Sequence, residues 1–92
     1  MREMEQLTVL TYSYVPDVVA RRDPHREQHL ALLAAHGCVI GGATGDPPHG
    51  ALLAFPTQAQ ALAFRDADPY RAAGLVTDDR IEPWAIGVGG AG

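Results

Sequence analysis

The sequence predicts an α+β fold of the ferredoxin-like type, βαββαβ, an antiparallel sheet carrying two helices on one face. Three observations predict it. Apolar runs and turn signals follow one another as strand, helix, strand, strand, helix, strand. The last strand contains Pro83, which cannot donate to a ladder and so belongs at a sheet edge, where this topology puts its fourth strand. Tyr12, Tyr14, Trp84 and the apolar run at 51–55 hold more hydrophobic surface than one helical layer covers, so a second subunit laid sheet to sheet is expected.

The elements follow in order. LTVLTYSYV (7–15) is rich in β-branched and aromatic residues and reads as a strand with two apolar faces. Residues 16–23 read as a loop, with Asp23 as helix cap and Pro24 at the first helical position. That helix is expected to reach about His36, with Gly37 placed to end it. CVIGGA (38–43) reads as a short strand, TGDPPHG (44–50) as turn, and ALLAF (51–55) as a central strand. Thr57-Gln58-Ala59-Gln60 fits a capping box opening a helix to about Asp66. A break and one short turn fill 66–75, and RIEPWAIG (80–87) is the last strand. One domain over residues 1–87 is expected, with 88–92 a flexible glycine-rich tail.

Composition narrows the function classes. A chain of 92 residues buries only about 60–65% of the surface its unfolded form exposes. Cys38 is the single cysteine, so no disulfide or thiol zinc cluster adds stability; a partner copy is the remaining route. The net charge of −4 argues against a nucleic-acid partner, because phosphate neutralisation needs a basic face. No apolar run approaches the roughly 20 residues needed to span a bilayer. The charged start, MREMEQ, lacks an apolar signal core, so a cytoplasmic, membrane-free protein is expected. Cys38 itself is expected to be an inert packing thiol.

HREQHL (25–30) sets Arg26 and His29 just ahead of an alanine- and leucine-rich run. At about 100° per residue, with Leu30 as the stripe centre, Arg26 falls near −40°, Leu33 near −60° and His29 near −100°. Both polar residues then flank the buried stripe. A histidine there is either satisfied by a backbone carbonyl or is a functional imidazole. His25, His29 and His36 share one side of the helix. His25 and His29 have a metal-pair spacing, but His36 lies roughly 10 Å further along the axis from His29. Two imidazoles with no nearby thiol do not complete a site. No metal or other cofactor is expected, and His25 and His36 are expected to face solvent. Asp68-Pro69-Tyr70 is turn chemistry in which Tyr70 can simply pack.

Taken together, R-x-x-H-L at 26–30, glycines closing a strand at 41–42, D-P-Y at 68–70 with A-G-L at 73–75, and I-E-P-W at 81–84 resemble the YCII-related domain family. The resemblance runs from about residue 7 to 87, while residues 44–50 are shorter than the glycine- and serine-bearing segment of many relatives. It implies a ferredoxin-like domain that pairs into a dimeric α+β barrel. It also implies an active site formed by His29 and Asp68. Some relatives are similar to dehydrochlorinases acting on chlorinated hydroxyquinols, and the wider superfamily includes muconolactone isomerases.

The chemistry of such a pair is acid–base. A carboxylate on one ring nitrogen fixes the tautomer and leaves the other nitrogen to take or give a proton. Arg26 is placed to hold an anionic substrate oxygen or to balance Asp68, and Tyr70 and Tyr12 are the further candidates for substrate contact. No serine or cysteine nucleophile motif occurs, and Gly41-Gly42 does not meet the dinucleotide fingerprint. Proton transfer of the isomerisation or elimination type on a small, aromatic or lactone-like molecule is the function expected. A non-catalytic ligand-binding or accessory dimer is the alternative.

Overall fold

The computed structural model describes residues 5–89. The elements are β1 (Glu5–Tyr14), α1 (Val18–Arg21), α2 (Asp23–Ala35), β2 (Ile40–Thr44), β3 (Gly50–Phe55), α3 (Gln58–Ala67), α4 (Pro69–Ala72) and β4 (Val76–Ile86). The sheet is antiparallel in the order β2-β3-β1-β4. This is the predicted ferredoxin-like arrangement, with α1 and α4 as added single turns. Residues 1–4 and 90–92, which hold most of the charged start and the end of the glycine-rich tail, lie outside the described residues. Among the described residues no helix is long and apolar enough to cross a membrane.

The core lies on the helix-bearing face of the sheet. Leu10 and Tyr12 of β1 and Leu53 and Phe55 of β3 alternate onto that face and meet Ala61 and Phe64 of α3, with Leu32 and Leu33 of α2 against them. A smaller cluster, Val18, Tyr70 and Leu75, closes the end where α1 and α4 meet. Pro83 is on β4, an edge strand, opposite Thr8. On the other face, Ile40, Leu52 and Trp84 are 65%, 45% and 40% exposed, a band of apolar side chains across the sheet. Helices do not reach it.

Local signals set most boundaries. Gly37 ends α2 at φ 78°, the left-handed region that favours glycine. The Gly37 and Cys38 amides donate back to the Ala34 and Leu33 carbonyls at 3.1 and 2.9 Å, a Schellman closure. Thr57 caps α3 by accepting from the Gln60 amide at 3.2 Å. The Gln60 side chain does not complete a reciprocal box; its Nε2 donates to the His36 carbonyl and ties α3 to the end of α2. At Gly50 a Cβ would run into the Tyr12 carbonyl oxygen, so glycine here lets β3 lie close against β1.

Four expectations are corrected. Residues 16–23 are not all loop, because α1 forms a turn that drives Val18 into full burial. α1 leads straight into α2, so Arg22 takes the cap position in helical geometry and Asp23 is already inside the helix, capping nothing. β4 begins at Val76 rather than 80: TDDR is polar because it lies at an edge, yet Asp78, Asp79 and Arg80 pair with Ser13, Tyr12 and Thr11, with a register shift at Thr77. The fourth correction concerns the rotation of α2. His29 is its buried residue, while Leu30 is 49% exposed. The helix is turned by about 100° from the Leu30-centred expectation, so the histidine side faces the sheet. His25 and His36 are accordingly half-buried rather than solvent-facing, and the His36 ring stands edge-on to Phe64 at 6.3 Å.

Candidate functional site

The site is assembled by α4, a single turn that follows α3 directly. Asp68 sits between the two helices in extended geometry, and its carboxylate accepts the Tyr70 amide at 3.0 Å, capping α4, with Pro69 at the next position. This local cap aims a carboxylate into the core. There Oδ1 meets His29 Nδ1 at 2.8 Å and Oδ2 accepts the Tyr12 hydroxyl at 2.7 Å. The Asp68 side chain has no exposure at all, and that of His29 is 6% exposed. Three donors from β1, α2 and α4 thus converge on one buried carboxylate. The coupling of burial to full hydrogen bonding is what makes the group tolerable in a core.

Toward an ionised carboxylate, which only accepts, Nδ1 of His29 is the donor, and Nε2 is the ring nitrogen that Asp68 does not engage. The imidazole also packs against two aromatic rings. Tyr70 stacks on it with ring centroids 3.8 Å apart and planes 2° from parallel, and Phe64 stands edge-on at 5.6 Å. His29 also lines a cavity of about 290 Å³ between α2, β2 and the start of β3. Arg22, Arg26, Tyr14 and Tyr70 form its polar wall; Leu30, Leu33 and Leu53 are apolar wall. A wider cavity of about 510 Å³ opens on the far side of Asp68, lined by Asp66, Arg71, Asp78 and Asp79. It is more open to solvent and presents no imidazole, so its size does not make it the better candidate.

Of the residues singled out from the sequence, His29, Asp68, Arg26 and Tyr70 come together as one constellation. Tyr12 does not line the cavity. Its hydroxyl is committed to Asp68 and its ring is buried, so it supports the carboxylate rather than a ligand. Arg22 and Tyr14 line the cavity and were not among the candidates. The signal for Arg22 was present: it precedes Arg26 by four residues, one helical turn. Reading Asp23 as the cap placed it outside the helix.

Burial pushes the Tyr12 phenol up, reinforced by the Asp68 charge and hydrogen bond. Burial also raises Tyr14, where Tyr70 and Asp68 add to it and Arg22 and Arg26 partly offset it. Tyr70 is raised by burial as well, with Arg26 and Arg22 pulling the other way. Burial raises the Cys38 thiol away from the thiolate form, in line with a packing role. The sign for stability follows. All three tyrosines of the chain release protons later when folded than in the unfolded chain, where the value is about 10. Their contribution is therefore complete below about pH 10 and is lost as pH rises beyond it. Absorbance at 295 nm should show the phenols ionising late and together with loss of far-UV circular dichroism. A tyrosine titrating reversibly near pH 10 in the folded protein would contradict this.

No protein-family model matches the chain, and no curated protein sequence matches it. Solved structures do share its fold. The chain is similar to 5-chloro-2-hydroxyhydroquinone dehydrochlorinase (TftG) from Burkholderia phenoliruptrix AC1100, solved in complex with 2,5-dihydroxybenzoquinone, at 24% identity and TM-score 0.71. That match covers 88% of this chain and 95% of the other. A Nitrosomonas europaea protein of unknown function, NE2512, matches at 19% identity and TM-score 0.60, over 100% of this chain and 98% of its own. A Deinococcus radiodurans protein, provisionally described as an antibiotic biosynthesis monooxygenase, matches at 15% identity and TM-score 0.55, over 91% and 94%.

Proposed function

We propose that this protein is a YCII-like enzyme, one α+β domain over residues 1–87, that uses His29 and Asp68 for proton transfer on a small molecule. The observation that carries the reading is the buried Asp68 carboxylate on His29 Nδ1, in an imidazole that also lines a cavity. An imidazole stacked on Tyr70 and hydrogen-bonded at one nitrogen needs little reorganisation when Nε2 takes a proton. In an isomerisation Nε2 removes a proton from one carbon and returns it to another. In an elimination the proton goes to Nε2, the C–H electron pair forms the new double bond, and the leaving group departs with its own pair. The cavity, about 290 Å³, holds one ring. The ring-sized ligand of the dehydrochlorinase that shares this fold supports an aromatic or lactone-like substrate. No cofactor is required for either reaction, and a cytoplasmic location suits such an enzyme.

The test is proton exchange in deuterium oxide against a panel of hydroxyquinols and unsaturated lactones, read by NMR. Deuterium incorporation or turnover that depends on His29 supports the enzyme reading. Binding in the cavity with no exchange across the panel would move the assignment to a ligand-binding module.

The exposed apolar band of Ile40, Leu52 and Trp84 supports a homodimer packed sheet to sheet. Sedimentation at micromolar concentration should give twice 9.8 kDa. A clean monomer would remove the dimeric barrel from the proposal.

A further inference from the structure

The arginines of the described residues divide into two sets. Arg21 pairs with Asp17, Arg65 with Asp66 and Asp79, Arg71 with Asp79, and Arg80 with Glu82. Arg22 and Arg26 have no carboxylate partner among the described residues, and both line the His29 cavity. The cavity wall contains no aspartate or glutamate, in a chain whose net charge is −4. This local excess of positive charge is therefore not a reflection of composition. Two guanidinium groups one helical turn apart repel each other, and an anion bound between them in the cavity they line turns that repulsion into attraction.

We infer that the cavity is built for a small carboxylate with a planar apolar body, its carboxylate held by Arg22 and Arg26 and its body lying along Leu30, Leu33 and Leu53 toward His29. The inference rests on the reading of this cavity as the substrate site and names the substrate class. The geometry of the two groups matches the ligand: a guanidinium fork bonds a planar carboxylate through two parallel N–H groups, which an ammonium or a hydroxyl cannot reproduce. The two arginines also act on the Tyr14 and Tyr70 phenols, which places their charge at the aromatic edge of the cavity beside the imidazole. A carboxylate held there leaves the adjacent carbons of its body near the face of the cavity that His29 lines.

The test uses benzoate and its neutral counterpart, benzamide, titrated into labelled protein with backbone amide and arginine Nε–H signals followed by NMR. Benzoate should saturate, shift the Arg22 and Arg26 Nε–H signals, and bind roughly tenfold or more tightly than benzamide. Arg22→Gln and Arg26→Gln should each weaken benzoate by roughly tenfold and narrow its lead over benzamide. His29→Gln should keep the preference. Amide spectra matching wild type show that each variant is folded, and two independent arginine variants protect against failure of one. Equal binding of the two compounds, no saturation by benzoate, wild-type preference in both arginine variants, or loss of preference in His29→Gln would overturn the inference. Proton exchange decides the catalytic reading separately. A protein that prefers benzoate but catalyses no exchange keeps its carboxylate site and loses its assignment as an enzyme.

Discussion

Asp68→Ala is expected to lower the unfolding free energy by about 3–5 kcal/mol. The size comes from what is left behind rather than from what is removed. The Tyr12 hydroxyl, the His29 Nδ1–H and the Tyr70 amide all lose an acceptor among residues that are almost fully buried. A buried donor without a partner costs about 1–3 kcal/mol, and local relaxation recovers part of the sum. For the Tyr70 amide that loss is the loss of the α4 cap, about 1 kcal/mol of the sum. Asp68→Asn, which keeps an acceptor and can still cap, should cost about half as much. Asp66→Ala is the control: that side chain is on the same segment but 69% exposed, so it should change stability by less than about 0.5 kcal/mol. Urea unfolding followed by circular dichroism measures all three. If Asp68→Ala and Asp66→Ala unfold alike, Asp68 is not the centre of this network.

The second large effect is on chemistry. On the proposed reading, His29→Gln should reduce turnover of any compound the protein processes by about 10²–10⁴-fold, the range for removal of a positioned general acid–base group. Glutamine fills similar space and can still bond Asp68, so the fold should survive. It has no basic nitrogen to accept a proton. Tyr70→Leu separates positioning from proton transfer. It removes the ring stacked 3.8 Å from the imidazole without touching the Asp68 contact, so it should lower turnover less than His29→Gln does. A His29→Gln protein that turns over substrate at the wild-type rate would leave the dyad a structural hydrogen bond.

The Asp68-Pro69-Tyr70 turn shows how far local chemistry carries. At Asp68 the residue before proline caps a helical turn, and the same cap is what points the carboxylate inward. The helix stop at Gly37, the Thr57 cap and the edge strand marked by Pro83 are likewise local, each set by one residue's backbone or hydrogen-bonding capacity. α1 and the first part of β4 were less visible. VVAR is too short to show a period, and TDDR is held in its strand by pairing with β1 rather than by its own propensity.

The order of the elements, the edge position of β4 and the caps that frame the site were determined by the sequence itself, because each depends on groups within a few residues of one another. Which side of α2 turns inward was decided only by the tertiary structure. Leucines occur on both sides of that helix, so its apolar pattern does not choose a face. The choice is made by an acceptor 39 residues away, Asp68, which satisfies a buried imidazole and lets His29 displace Leu30 from the interior. The same rotation brings Arg22 and Arg26 to the cavity beside it.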